Sequence, residues 1–164
     1  MSPYEEILNA LSEAGIDFIV GGGVACVLHG VERVTMDVDI SLHLTPENLD
    51  RFIRASDRLG LRPRIPVPPE SLLDEKAVQM MVNEKHALVY TLLDPDRPVR
   101  QIDVFLVADL SYENLLPDSV WVELGNIKVR IIGKKRLLDI KRGINPPRLK
   151  DALDIEFLQK NENA

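Results

Sequence analysis

Residues 20–40 read VGGGVACVLHGVERVTMDVDI, and the rest of the chain is interpreted outward from this stretch. Three glycines at positions 21–23 separate a β-rich run, residues 16–20, from a small apolar segment that is typical of a buried helix. Such a turn lets backbone N–H groups approach a phosphate, but it is equally common as a purely structural turn. The dinucleotide-binding fingerprint is disfavoured because Cys26 stands where it requires glycine, and the P-loop pattern does not occur.

Two aspartates, Asp37 and Asp39, lie near the end of the same stretch. Residues 38–44 alternate apolar and polar side chains, which predicts a strand, and alternate residues of a strand point to one face. Two carboxylates about 6–7 Å apart along a strand repel each other, and they are costly there unless a cation or hydrogen bonds compensate. Magnesium suits such a pair because it takes one or two carboxylates together with substrate phosphates. The alternative is an exposed strand edge with ordinary solvated acids.

A third acidic residue, Asp103, lies in the apolar run 99–107. If this strand is a neighbour of residues 38–44, three carboxylates meet on one face, an arrangement that can hold two metal ions. Arg33 and Thr35 lie in the loop before the first two acids, where they either contact phosphate or pair with Asp37 or Asp39.

The charge of the chain is unevenly distributed. The formal net charge is −6, which argues against a protein that coats nucleic acid non-specifically. Residues 128–150 nevertheless contain a single acid, Asp139, and nine basic residues: Lys128, Arg130, Lys134, Lys135, Arg136, Lys141, Arg142, Arg148 and Lys150. This segment is either a solvated helix face or a surface that faces a polyanion.

Taken together, these motifs resemble the nucleotidyltransferase superfamily, which has the polymerase-β-like fold. The resemblance consists of a glycine pair, thirteen intervening residues, an Asp-x-Asp strand and an aspartate on a later strand. Residues 20–40 are similar to the bacterial branch that contains minimal nucleotidyltransferases and AbiEii-type toxins. The closing Lys141, Arg148, Lys150, Asp151 and Asp154 are also similar to helices of that branch, whereas residues 61–98 have no counterpart.

The resemblance implies a role for each matching residue. Gly22 and Gly23 would hold the nucleotide phosphates, although many transferases have serine at the second position and Gly23 offers no hydroxyl. The metal ligands would be three aspartates at a two-metal Mg²⁺ site: Asp37, Asp39 and Asp103. Asp103 would in addition deprotonate the acceptor hydroxyl. The triphosphate or the acceptor would face three cations: Lys141, Arg148 and Lys150.

The activity implied is magnesium-dependent transfer of a nucleoside monophosphate from a triphosphate such as ATP to an acceptor hydroxyl, with release of pyrophosphate. The acceptor is an RNA, a protein or a small molecule, and a cognate antitoxin or toxin chain or a second copy of the chain is a further possible partner. The alternative is a non-catalytic regulatory or toxin–antitoxin interaction module that has kept the fold.

The remaining pattern predicts one domain, residues 1–164, of the mixed α/β (α+β) class, with a mixed sheet flanked by helices and a C-terminal helical hairpin. Helices are predicted at 3–14, from 46 to 59, at 70–82, 134–142 and 148–158, and hairpins at 87–107 and 120–132. Trp121 is expected in the core or an interface. A single cysteine, no apolar run long enough for a membrane span and an acidic N-terminus predict a cytoplasmic protein without membrane association.

Overall fold

The computed structural model describes residues 1–84 and 87–160. Its helices are α1 Pro3–Glu13, α2 Gly22–Leu28, α3 Pro46–Arg58, α4 Glu75–Asn83, α5 Tyr112–Leu115, α6 Lys134–Arg142 and α7 Leu149–Lys160. Its strands are β1 Phe18–Gly21, β2 Val38–Leu42, β3 Arg62–Pro63, β4 Val89–Leu93, β5 Gln101–Phe105, β6 Val120–Leu124 and β7 Ile127–Ile131. Short 3₁₀ turns cover Pro69–Leu73, Ala108–Leu110 and Leu116–Asp118.

The strands form one mixed sheet in the order β3-β4-β5-β2-β1-β7-β6. The pairs β2–β5 and β1–β7 are parallel, and the other neighbours are antiparallel. Helix α2 packs on β1, β2 and α6, and α6 packs on α7 as a helical hairpin. The predicted fold class is therefore confirmed, because a mixed sheet is flanked by helices and closed by a C-terminal hairpin.

Local signals explain why the helices begin where they do. The Ser2 hydroxyl accepts a hydrogen bond from the Glu5 backbone N–H, and proline occupies the first position of α1. Thr45 caps α3 in the same way by accepting from the Asn48 N–H at 3.2 Å. The apolar face of α1 is fully buried through Ile7, Leu8 and Leu11, as the helical spacing predicts.

Residues 61–98, which the family resemblance does not cover, differ from the prediction in two places. The helix predicted over residues 70–82 is divided at Asp74, whose carboxylate accepts hydrogen bonds from the N–H groups of Lys76 and Ala77 and so begins α4 there. The connector 61–69 contributes the edge strand β3, which pairs with β4. Both differences arise because a cap and a two-residue edge strand have almost no periodicity to detect.

Trp121 does not fill the core. Its side chain lies on the edge strand β6 and is 59% exposed, with the Arg130 guanidinium 4.3 Å from the centre of its ring. The expectation of a core position is therefore wrong, since an aromatic residue at an edge strand can stack on a cation instead. Among the described residues, no helix is both long enough and apolar enough to cross a membrane.

Candidate active site

The parallel pairing of β2 with β5 brings two of the predicted acids together. Asp39 and Asp103 are direct register partners, so their side chains project from the same face of the sheet on neighbouring strands. Asp37 lies immediately before β2, and all three acids line one cavity of about 430 Å³. The adjacency on which the sequence interpretation depended is present, and the cavity is open to solvent at the Asp37 end, where that residue is exposed.

The glycine turn lines the same cavity, next to Asp39. Gly21 is the register partner of Asp39 across β1 and β2, and Gly22 and Gly23 line the cavity. Gly22 has a φ of +58°, and a Cβ at this position would overlap the Asp39 carboxylate. A Cβ on Gly23 would lie only 2.6 Å from the Thr35 hydroxyl oxygen. Both positions therefore require glycine, because the backbone must approach the acid and the loop that precedes it.

The electrostatics of the acids favour a bound cation. Burial, together with the neighbouring Asp103 and Asp37 carboxylates, raises the pKa of Asp39 to about 7. Partial burial and Asp103 likewise raise the pKa of Asp37, against the opposing effects of Lys150 and Arg64. Arg64, on the connector, is a charged neighbour of the site that the sequence analysis did not identify. A divalent cation between the acids would relieve their repulsion.

The carboxylates of the cavity can supply part of the coordination of a magnesium ion. Carboxylate oxygens on two neighbouring strands are the hard ligands that Mg²⁺ prefers. Within residues 1–84 and 87–160, however, no group of three or more acidic, histidine or cysteine side chains is arranged so that it could hold a metal ion without other ligands. The residues therefore suit an ion that takes the rest of its coordination from water and from substrate phosphates, which is the usual behaviour of Mg²⁺.

Two cations of the basic segment, Lys141 and Arg148, form ion pairs with acids of the helical hairpin. Lys141 is only 4% exposed, and its Nζ lies 3.1 Å from both Asp151 Oδ1 and Asp154 Oδ2. Arg148 donates to the two oxygens of Asp151 from Nε at 2.8 Å and from Nη2 at 3.0 Å. Lys141 and Arg148 are therefore both paired with buried acids, and both border the cavity. That they face the triphosphate or the acceptor stays a prediction.

Arg33 joins the same cluster. Its guanidinium donates to Asp154 from Nε at 2.7 Å and from Nη2 at 2.9 Å, so its partner is Asp154 and not Asp37 or Asp39. We call the five side chains the ion network: Arg33, Lys141, Arg148, Asp151 and Asp154. Its three cations and two anions leave one positive charge at the cavity wall. The network also ties the loop before β2 to the helical hairpin.

The two acids of the ion network are strongly stabilised in their ionised form. Hydrogen bonds from Arg148 hold the pKa of Asp151 well below its usual range. Burial opposes ionisation of Asp154, but the hydrogen bonds from Arg33 and Lys141 outweigh it and lower its pKa. Both acids belong to the family-like motif in the sequence, but only the structure shows that they are buried and that they hold Arg33, Lys141 and Arg148 in ion pairs.

Lys150 differs from the other two predicted cations. Its side chain is exposed, it lines the cavity, and it lowers the pKa of Asp37. It makes no ion pair within the part of the chain that the structure describes. Of the three cations in the predicted set, Lys150 is thus the one that is placed to meet a polyanion directly.

Two solved structures share this fold. One is the lincosamide antibiotic adenylyltransferase LnuA in its lincomycin-bound crystal structure, with a TM-score of 0.62 and 15% identity over 96% of this chain and 94% of that chain. The other is the solution structure of the antibiotic-resistance factor ANT(2'')-Ia, with a TM-score of 0.62 and 15% identity over 98% and 83% of the two chains. The chain has the nucleotidyltransferase fold. No protein-family model and no curated protein match the sequence.

The nucleotidyltransferase fold accounts for the arrangement of the sheet and the helical hairpin over nearly the whole described chain. Similarity at 15% identity concerns the fold alone, so the roles of individual residues rest on the geometry of the cavity. Placement within the AbiEii-type branch stays a prediction from the sequence.

Proposed function

We propose that this protein is a magnesium-dependent nucleotidyltransferase that transfers a nucleoside monophosphate from a nucleoside triphosphate to a hydroxyl group of a small-molecule acceptor. The observation that carries the proposal is the register pairing of Asp39 with Asp103 across parallel strands, beside the turn formed by Gly22 and Gly23. Phosphoryl-group transfer needs this combination, because a phosphate must be held beside acids that bind a metal ion and activate a nucleophile.

Each part of the cavity has a distinct task in this reaction. The backbone N–H groups at Gly22 and Gly23 hold the phosphates, since no side chain blocks their approach. Asp37, Asp39 and Asp103 would hold Mg²⁺, which when bound neutralises charge on the triphosphate. Asp103, on β5, also takes the proton of the acceptor hydroxyl, whose oxygen then attacks the α-phosphorus while pyrophosphate leaves.

Cations on the far side of the cavity offset the repulsion between the acids and a triphosphate. Lys150 supplies an exposed point charge, whereas Arg33, Lys141 and Arg148 act through the excess positive charge of the ion network. A buried, hydrogen-bonded cluster of this kind keeps its cations in fixed positions.

The dimensions and lining of the cavity favour a small acceptor. A volume of about 430 Å³ lies within the range of small-molecule sites. Part of the lining is apolar: Phe105, Leu110, Ile132, Leu137, Ile140 and Ile144. The net charge of −6 disfavours a long nucleic acid as the acceptor. In addition, the structural neighbour LnuA is an adenylyltransferase of lincosamide antibiotics, which are small molecules.

The test combines turnover with binding. The chain is incubated with labelled nucleoside triphosphates, with Mg²⁺ or excess chelator, and with pools of small molecules, RNA or proteins. We expect label transfer to the small-molecule pool only when Mg²⁺ is present, and an Mg²⁺-dependent rise of the melting temperature with triphosphate. Asp103→Asn should lose transfer.

Other results would change the conclusion. Transfer to RNA or to protein alone would replace the acceptor class and leave the reaction intact. Mg²⁺-dependent nucleotide binding without transfer to any pool would favour the non-catalytic module. Equal stabilisation by triphosphate in the presence of chelator would show that the three aspartates are not metal ligands.

A further inference from the structure

Asp103 is held by hydrogen bonds from two residues that have no place in the family-like motif. Thr91 is its register partner on β4, so the two side chains lie on one face of the sheet. The buried Thr91 hydroxyl donates to Asp103 Oδ1 at 2.6 Å. Gln101 precedes Asp103 by two residues on β5 and therefore shares the same face, and its Nε2 is 3.1 Å from both carboxylate oxygens.

These contacts determine how the carboxylate is oriented. Oδ1 accepts hydrogen bonds from the Thr91 hydroxyl and from Gln101 Nε2, whereas Oδ2 accepts one from Gln101 Nε2. Asp39, on the other neighbouring strand, also interacts with the Asp103 carboxylate. The rotation of the group is thus limited from two directions, and Oδ2, which accepts fewer of these hydrogen bonds than Oδ1, keeps the larger remaining acceptor capacity.

We propose that Thr91 and Gln101 are positioning residues that orient the Asp103 carboxylate so that Oδ2 can share a divalent cation with Asp39. The inference rests on the proposed function, because it assumes that Asp39 and Asp103 bind a metal ion. It adds that the geometry of the metal site depends on a strand, β4, that lies outside the Asp-x-Asp motif. Hydrogen-bonded partners of a metal-binding carboxylate usually contribute to metal affinity.

The test measures Mn²⁺ binding to the intact chain by electron paramagnetic resonance of the free ion, without nucleotide or acceptor. Thr91→Val has nearly the shape of threonine but no hydroxyl, and we expect about tenfold to a hundredfold weaker Mn²⁺ binding. Thr91→Ser restores the hydroxyl and should bind within about threefold of wild type. Gln101→Met should weaken binding in the same direction as Thr91→Val.

The chain contains a matched control on the same strand. Tyr90 precedes Thr91 and points to the opposite face, where its buried hydroxyl donates to the Val67 carbonyl oxygen. Tyr90→Phe also removes one buried hydroxyl from β4, so it reproduces the loss of a hydrogen bond without touching Asp103. We expect its Mn²⁺ affinity to equal that of the wild type, whatever the change in melting temperature.

The outcomes separate the inference from the proposed function. If the wild type binds Mn²⁺, Asp39→Asn abolishes binding, and Thr91→Val binds as the wild type does, the positioning role is overturned while the metal site stands. If the wild type does not bind Mn²⁺, both are overturned. Should Thr91→Val fail to fold, Gln101→Met decides the question: unchanged affinity refutes the role, and affinity lowered by tenfold or more supports it.

Discussion

Asp151 is the residue on which the ion network depends most, and we predict that Asp151→Asn lowers the stability of the chain severely. The carboxylate is fully buried and accepts hydrogen bonds from Lys141 Nζ at 3.1 Å and from three N–H groups of Arg148 at 2.8–3.1 Å. Asparagine has almost the same shape, but it carries no charge and offers one acceptor oxygen instead of two. Lys141 would then have only Asp154 to neutralise it, and Asp154 is already shared with Arg33.

The magnitude follows from the burial of the partners. Removing one member of a buried ion pair costs about 3–5 kcal/mol. The Arg148 side chain is 54% exposed and can be resolvated, whereas Lys141 is 4% exposed and cannot, so we expect a loss near the lower end, about 3 kcal/mol. For a domain of this size that loss corresponds to a fall in melting temperature of about 6–12 °C.

The assay is urea-induced unfolding at pH 7, repeated as thermal melts at lower pH. Because the pKa of Asp151 is lower in the folded chain than in the unfolded one, its stabilising contribution is complete above the unfolded pKa and decreases as the pH falls below about 4. The difference between wild type and Asp151→Asn should decrease in the same pH range. Glu156→Gln on the same helix is the control, since the Glu156–Lys160 pair is exposed and contributes less than about 0.5 kcal/mol.

The reasoning would be refuted by a small effect. If Asp151→Asn unfolds within about 1 kcal/mol of the wild type at pH 7, or if Glu156→Gln costs as much, Lys141 is not held by a buried charge. The basic segment would then lie on a solvated helix face, one of the two alternatives that the sequence left open.

Three further predictions concern the cavity. Gly22→Ala should lower the melting temperature far more than Gly60→Ala in parallel melts, because both positions have positive φ but only the first Cβ would overlap a side chain, that of Asp39. Without metal, ionisation of Asp39 opposes folding as the pH rises from about 4 through 7. Asp39→Asn should therefore raise the melting temperature at pH 8 and leave it unchanged at pH 3.5. A lower melting temperature at pH 8 would contradict this. Lys150→Ala should weaken triphosphate binding and reduce its salt dependence without changing stability. Arg148→Ala should instead lower stability, because Asp151 loses its hydrogen bonds. Calorimetric titrations and thermal melts of both variants distinguish the two effects.

The local elements of the fold were predictable because their signals are contained in short stretches of sequence. Ser2 and Thr45 identify the starts of α1 and α3, and the Gly125-Asn126 pair identifies the hairpin of β6 and β7. The alternation around Asp39 predicts β2 in the same way. Each signal depends on backbone conformation within a few residues, so it does not require knowledge of what the element packs against.

The candidate site was predictable in its composition and only partly in its geometry. The glycine turn, Asp37, Asp39 and Asp103 were identified as a set from their spacing and from the family resemblance, and the structure places them around one cavity. Thr91 was not identified, because a threonine in a strand is ordinary and its partner is known only once β4 is aligned with β5.

Within the part of the chain that the structure describes, the sequence by itself determined which acidic and basic side chains are candidates for the site, whereas the tertiary structure decided which of their charges are available. The basic segment contains three lysine or arginine residues that the sequence does not distinguish: Lys141, Arg148 and Lys150. In the structure Lys141 is buried and paired with two acids, Arg148 is hydrogen-bonded to one acid, and Lys150 is exposed at the cavity. The physical reason is that the cost of removing a charge from water depends on long-range packing, here between α6, α7 and the loop that carries Arg33.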